Sequence, residues 1–265
     1  MSAVEGLRNL QELVLEIPYG CSEPELDQLT GLRKLTIDNM EDCSFLENMS
    51  DLTELHMSAC TLPKDIDLSK LSSLKVLSCN IDTVHTAYLM DVEAIKAFEK
   101  IECLDIHGSQ TYEDISGIFQ MPNLKELNIS GMHCEINFDA VVENPVLEVL
   151  HMEDMYLYKN VWEENVSIMT SVYYDEVALD EHMDFVNKFP GLRELYVGGN
   201  TLTDLAFAED MQALEILDIT DNYITELRPL AELPSLRKVI CPGNPLKNEK
   251  VLKDSVLIVD EAEDE

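Results

Sequence analysis

Hydrophobic residues return along this chain in the order L-x-x-L-x-x-L-x-L, at steps of 20 to 27 residues. The second apolar position marks eleven units, at Leu10, Leu32, Leu52, Leu74, Ile101, Leu124, Leu147, Met169, Leu192, Leu214 and Leu236. The last two apolar positions of a unit are one residue apart, and this period of two predicts a strand with one buried face. One strand with its return segment cannot enclose a core, so the pattern predicts a solenoid of stacked units.

The last three units share a polar ending. They read LRELYVGGN, LEILDITDN and LRKVICPGN, and they end on Asn200, Asn222 and Asn244. Because the chain turns sharply there, a side-chain amide can satisfy backbone groups that the turn leaves without partners. The pattern resembles that of leucine-rich repeats of the short class, about 22 residues long, as in bacterial internalin-like proteins. The resemblance covers about residues 7–246.

The resemblance implies an α/β fold, as a right-handed leucine-rich-repeat solenoid of about 11 repeats. Its parallel sheet is expected on the concave face, with short helices and turns on the convex face. We expect a single domain over residues 1–265, with a C-terminal cap and acidic tail over 247–265 and a closing edge strand at 256–259. Short helices are predicted over about residues 24–29, 91–99, 139–143 and 180–188.

Composition favours a reducing compartment. The seven cysteines are odd in number and form no C-x-x-C pair, and no apolar run of about 18 residues is present. The first residues lack the basic and apolar stretches of a signal peptide. These features predict a cytoplasmic protein without membrane contact, which we expect to be a monomer. Because the first repeat begins without a polar cap, the alternative is a fragment of a longer secreted or cell-surface protein.

The charge of the chain is strongly acidic, with 52 acidic and 18 basic residues and a net charge of -34. Residues 101–187 hold 18 acidic residues and only two basic ones, Lys125 and Lys159. A field of this sign repels the phosphates of nucleic acids and anionic membranes, and it attracts basic partners. Acidity that serves only solubility is the alternative interpretation.

The outward residues of the strands line the concave face, the usual binding surface of a solenoid. Units seven to ten are predicted to place two tyrosines in one row, flanked by carboxylates. Such a row is suited to gripping Lys or Arg through cation–π attraction and charge-assisted hydrogen bonds. The alternative is that the tyrosines only stiffen the sheet. The predicted partner-binding site consists of Asp105, His107, His151, Glu153, Tyr173, Asp175, Glu194, Tyr196 and Asp218.

One further cluster has residue types that carry chemistry. Cys103, Asp105 and His107 point the same way along one predicted strand, with Glu126 beside Cys103 on the next. These are metal-ligand types, and a thiol near a histidine is also the pair of a cysteine nucleophile. Because nothing encloses them on an open curved surface, we predict no metal site, no catalytic residue and no cofactor.

The predicted function is non-catalytic recognition of a protein or peptide with a basic patch, without nucleic-acid binding. The first alternative is an inhibitor that neutralises a basic nuclease or toxin. The second is a module of a bacterial surface or adhesion protein. An enzyme ranks last, because catalysis needs an enclosed pocket that this fold seldom provides.

Overall fold

The computed structural model describes residues 7–18, 21, 24–60, 66–79, 92–96, 98–161, 173–247 and 251–260. Within these ranges, 15 strands form two sheets. The main sheet has 11 strands, in the order β1 Glu12–Glu16, β2 Lys34–Asp38, β3 Glu54–Ser58, β4 Val76–Cys79, β5 Cys103–Asp105, β7 Glu126–Asn128, β9 Val149–His151, β12 Glu194–Tyr196, β13 Ile216–Asp218, β14 Lys238–Ile240 and β15 Leu257–Val259. The second sheet has four strands, β6 Gln110–Asp114, β8 His133–Glu135, β10 Tyr156–Val161 and β11 Tyr173–Glu176.

The main sheet is parallel, and its register follows the repeat. Leu35 of β2 lies opposite Leu55 of β3, and Leu217 of β13 lies opposite Val239 of β14. These four side chains are fully buried in one continuous core. The residue between the two buried positions of each strand faces out, because successive side chains of a strand point to opposite sides. The predicted solenoid and its strand register are therefore confirmed, with one exception.

The exception is unit eight, whose predicted strand in the main sheet is wrong. β9 pairs directly with β12, so nothing between them enters that sheet. The chain forms β11 instead, which pairs antiparallel with β10 in the second sheet. A strand of unit eight in the main sheet would bury Tyr174 at a position that Cys, Met or aliphatic side chains fill in the other units, and a buried phenol needs a hydrogen-bond partner. The marker residue Met169 lies outside the described residues.

The second sheet packs on the same core as the main sheet. β6, β8 and β10 each follow the turn that ends a main-sheet strand, and they pair in parallel. Cys134 of β8 and Leu157 of β10 point inward and are almost fully buried. The predicted closing strand is also confirmed, because β15 pairs in parallel with β14.

The asparagines of the last units hold the turns together. Asn222 is 2% exposed, and its Nδ2 donates to the carbonyl oxygens of Val197 and Ile219, each at 3.0 Å. Its Oδ1 accepts from the backbone nitrogens of Asn200, at 3.1 Å, and Leu202, at 2.8 Å. The amide thus satisfies backbone groups at the turn, as the sequence predicted. It also joins two repeats, which the sequence analysis did not predict.

The asparagine position lies eight residues after each marker residue. In eight of the described turns, the residue before it has a left-handed backbone. Glycine, asparagine and aspartate tolerate this conformation best, and they occupy most of these positions. Ala59, with φ of 47°, is the exception. The full set is Asn39, Ala59, Gly108, Gly131, Asp154, Gly199, Asp221 and Gly243.

The return segments are mostly 3₁₀ turns, because they are too short to favour an α-helix. One α-helix, α1 at Val92–Lys96, lies within the predicted 91–99 range. The helices predicted over 24–29 and 139–143 are wrong, since these residues form turns and extended chain. The 3₁₀ segments are Ser44–Asn48, Leu68–Lys70, Ser116–Gln120, Leu179–Glu181, Met183–Lys188, Ala206–Ala208 and Arg228–Leu230. In the described ranges, no helix has the length and apolar character needed to cross a bilayer.

Candidate functional site

The departure of unit eight brings β9 and β12 side by side. Their register places His151 opposite Tyr196, and Asp218 of β13 follows in the same row. The rings of His151 and Tyr196 stack with centroids 4.2 Å apart and planes 5° apart. This separation is close to the spacing of neighbouring strands, so the stack requires little distortion of the sheet. We call these two residues the concave stack.

Carboxylates hold the concave stack from both sides. Glu153 Oε2 lies 3.6 Å from His151 Nδ1, and the Glu153 carboxylate also contacts the hydroxyl of Ser130. On the other side, the Tyr196 hydroxyl donates to Glu194 Oε2 at 2.9 Å. Both rings are therefore fixed in orientation before any partner arrives, which reduces the entropy lost on binding.

The carboxylates also shift the pKa values of the rings. Burial alone lowers the pKa of His151, but Glu153, with Glu126 and Glu194, outweighs it and raises the pKa. Burial opposes ionisation of Glu153 as well, yet its hydrogen bonds with His151 and Ser130 lower its pKa. Burial and then the Glu194 hydrogen bond raise the pKa of Tyr196 to about 12, so this hydroxyl stays protonated.

Asp218 completes the acidic row on the other face of Tyr196. Its Oδ1 accepts from the backbone nitrogen of Thr220 at 2.9 Å and from the Thr220 hydroxyl at 2.6 Å. No described residue donates to its Oδ2. Since His151 covers one face of the Tyr196 ring, the other face is on the Asp218 side. A cation placed there meets a π face and a carboxylate oxygen together.

Asp105 and His107 lie apart from the concave stack. β7 separates β5 from β9, so Asp105 is about 10 Å from His151 along the sheet. His107 Nδ1 lies 2.7 Å from Asp105 Oδ1. The two residues thus form their own pair on the same acidic face.

The cysteine of this region is poorly suited to nucleophilic chemistry. Burial, and then the charge of Glu126, raises the pKa of Cys103 to about 12, which keeps the thiol neutral. In the part of the chain that the structure describes, no group of three or more His, Cys, Asp or Glu residues is placed to hold a metal ion.

Tyr173 and Asp175 do not join the row in which they were predicted. Both are in β11, opposite Val161 and Lys159 of β10. Their backbone is in the second sheet because unit eight leaves the main sheet, and their side chains lie outside the described part of the structure. The structure therefore brings together His151, Glu153, Glu194, Tyr196 and Asp218.

A line of alternating charge was missed in the sequence. It occupies the position just before each main-sheet strand from β4 to β14, and we call it the charged rim: Lys75, Glu102, Lys125, Glu148, Arg193, Glu215 and Arg237. Glu102 bonds Lys125 at 2.8 Å and Lys75 at 2.5 Å, and these bonds lower its pKa to about 2. Glu215 likewise binds Arg193 at 2.6 Å and contacts Arg237. The sequence signal that identifies the charged rim is a basic residue alternating with a glutamate at the spacing of the repeat.

Comparisons with known proteins agree with this architecture. No family model matches the sequence, and no curated protein matches it. An internalin, InlF, from Listeria monocytogenes has a TM-score of 0.71 at 20% identity, over 97% of this chain and 68% of that one. A leucine-rich-repeat protein from Leptospira interrogans has a TM-score of 0.66 at 18% identity, over 96% and 62%. This chain has the leucine-rich-repeat fold. It spans about two thirds of the length of these two proteins.

Two structures of this fold contain ligands of different kinds. The ectodomain of the Arabidopsis thaliana receptor kinase GASSHO1/SCHENGEN3, in complex with CASPARIAN STRIP INTEGRITY FACTOR 2, has a TM-score of 0.56 at 18% identity over 83% of this chain and 25% of that one. TLR13 in complex with ssRNA13 has the same TM-score and identity, over 82% and 30%. These two proteins hold ligands of different chemical classes on the same fold, so the fold alone does not name a ligand.

Proposed function

We propose that this protein is a non-catalytic recognition module that binds a basic protein or peptide around the concave stack. The observation that carries the proposal is the parallel pair of His151 and Tyr196 held between Glu153 and Glu194. Ordered aromatic rings beside carboxylates provide apolar area, π faces and charge at one place.

The charge distribution supports a basic partner over a nucleic acid. The region around the stack is acidic, with 18 acidic and two basic residues over positions 101–187. Four basic side chains of the charged rim, those of Lys75, Lys125, Arg193 and Arg237, are bonded to carboxylates and offer little to a phosphate. An acidic surface of this kind repels a phosphate backbone such as that of the RNA bound to TLR13.

The binding mode that the geometry favours is simple. An Arg or Lys of the partner lies over the outer face of Tyr196 and donates to Asp218 Oδ2. The π contact contributes about 0.5–1 kcal/mol at an exposed site, and a hydrogen bond to a carboxylate about 1.5–3 kcal/mol. One such contact is too weak for stable binding, so the partner needs several cationic side chains. Asp105 and His107 offer a further pair about 10 Å along the same face.

Binding is tested with a fluorescent peptide of about nine arginines, long enough to cross several strands. Tyr196→Leu keeps the apolar volume and removes the π face, so we expect it to weaken binding about two- to fivefold. Tyr223→Leu is the matched control, because Tyr223 is 61% exposed and lies outside the concave face. Anisotropy titrations at two salt concentrations give both affinities. Equal affinities for Tyr196→Leu and the wild-type protein refute the proposal.

A second candidate function is favoured by the likeness to the Listeria internalin. In this alternative, the chain is a module of a bacterial surface or adhesion protein and not a cytoplasmic one. Protease treatment of intact source cells separates the two locations, since only a surface module is degraded.

An inhibitor of a basic nuclease or toxin would use the same binding chemistry as the recognition module. Adding the protein to the nuclease distinguishes this role, because only an inhibitor reduces the nuclease activity.

A further inference from the structure

A second stack of histidine and tyrosine lies on the second sheet. His133 of β8 lies opposite Tyr156 of β10, and their rings stack with centroids 4.4 Å apart and planes 16° apart. Tyr156 remains 57% exposed. As in the concave stack, a histidine from one strand meets a tyrosine from the neighbouring strand. We call this pair the side stack.

The two stacks are on either side of one turn. His151 ends β9 and Tyr156 begins β10, so four residues lie between them, and their Cα atoms are at most about 18 Å apart. The turn between them carries Glu153 and Asp154 and no basic residue. Acidic groups therefore connect the stacks, and a cationic segment that crosses the turn meets favourable charge throughout.

The position of Tyr156 in its repeat does not by itself produce a stack. Tyr223 occupies the equivalent position, directly after Asn222, just as Tyr156 directly follows Met155 at the asparagine position of its unit. Tyr223 is 61% exposed, and no ring in the described part of the chain stacks on it. The side stack therefore needs the histidine of the preceding unit, His133, beside Tyr156.

We propose that the recognition surface continues from the concave stack across the turn to the side stack, and that one extended basic segment of the partner contacts both. This inference rests on the function proposed above. A separation of up to about 18 Å is covered by five to six extended residues. The segment therefore has cationic side chains at both ends of a stretch of about that length. One end lies against the half-buried Tyr196 and the other against the exposed Tyr156.

Peptide length provides the test. A peptide of about three arginines spans at most about 11 Å and reaches one stack, whereas one of about nine arginines reaches both. We expect Tyr196→Leu to weaken the binding of both peptides about two- to fivefold. We expect Tyr156→Leu to weaken only the longer peptide, by a similar factor. Tyr223→Leu, the matched control, is expected to change neither affinity.

The outcomes separate this inference from the proposed function. If Tyr196→Leu weakens binding while Tyr156→Leu leaves the longer peptide unaffected, the side stack is not part of the surface and the inference is overturned. Equal losses in Tyr156→Leu and Tyr223→Leu indicate unspecific attraction and also overturn it. If Tyr196→Leu changes neither affinity, the proposed function fails as well. His133→Gln is a second variant on the side stack, and thermal melting checks that each variant is folded.

Discussion

The buried asparagine of unit ten gives the sharpest prediction about stability. In Asn222→Ala, the carbonyl groups of Val197 and Ile219 each lose one side-chain donor and keep another, the amide of Asn200 or of Asn244. The backbone nitrogens of Asn200 and Leu202 lose their acceptor at the same time. All of these groups lie in the interior between two repeats, where water replaces the amide poorly.

The expected loss follows from these contacts. Each net buried hydrogen bond contributes about 1 kcal/mol, and each group left unsatisfied costs about 1–3 kcal/mol. Allowing for some entry of water, we predict a loss of about 3–5 kcal/mol, a large share of the roughly 5–15 kcal/mol that stabilises an ordinary domain. Asn123→Ala is the matched control, because its exposed amide makes one bond to the Glu99 carbonyl, at 2.8 Å. Its loss is expected to stay below about 1 kcal/mol.

Urea unfolding followed by circular dichroism measures both variants. Because neighbouring repeats can unfold separately, hydrogen exchange at the amides of Asn200 and Leu202 is measured as well. We expect exchange at these amides to accelerate more in Asn222→Ala than in Asn123→Ala. The reasoning is refuted if the two variants shift the unfolding midpoint equally.

Three further predictions concern the turns and the concave stack. Ala59→Gly removes the backbone strain of a left-handed alanine and should raise the free energy of unfolding in urea by about 0.5–1 kcal/mol. An unchanged free energy of unfolding contradicts the strain at Ala59. Gly199→Ala adds a methyl group that overlaps the Asp154 carboxylate at φ of 69°, and it should lower the melting temperature. An unchanged melting temperature contradicts this close contact. The raised pKa of His151 stabilises the fold fully below pH 6.5, and this contribution disappears as pH rises through the folded-state value. The lowered pKa of Glu153 contributes above pH 4.5 and is lost as pH falls through its folded-state value. The stability of the wild-type protein relative to His151→Gln should therefore shrink as pH rises above 6.5, and a constant difference in urea unfolding excludes this role.

The sequence predicted most of the main sheet because the repeat carries its own register. A strand with period-two alternation fixes which side chains face out, and the pairing of His56 with Ser78 and of Asp105 with Asn128 follows from it. The same logic correctly placed His151 and Asp218 on one face.

Spacing alone misled the prediction at unit eight. Leu147 and Leu192 are 45 residues apart, which is close to the length of two repeats, so an inserted hairpin looks the same as a repeat. The sequence feature that distinguishes unit eight is Tyr174, which is larger than the core residues at the same position of the other units. The direct stacking of His151 on Tyr196 depends on this departure and was therefore not predictable from the period.

The side-chain bonds of the site were also beyond the sequence. The alternation predicts that Glu194 and Tyr196 share a face, but their hydrogen bond depends on rotamers that pattern does not specify. The charged rim was in principle detectable, because its signs alternate at the repeat spacing.

NMR titration tests the central claim most directly. The protein is labelled on its tyrosine rings, the peptide of about nine arginines is added, and the Tyr196 signals are assigned by their absence in Tyr196→Phe. The account predicts that the Tyr196 ring signals shift and saturate, while those of Tyr223 stay in place. If the Tyr223 signals shift and the Tyr196 signals stay in place, the account is contradicted.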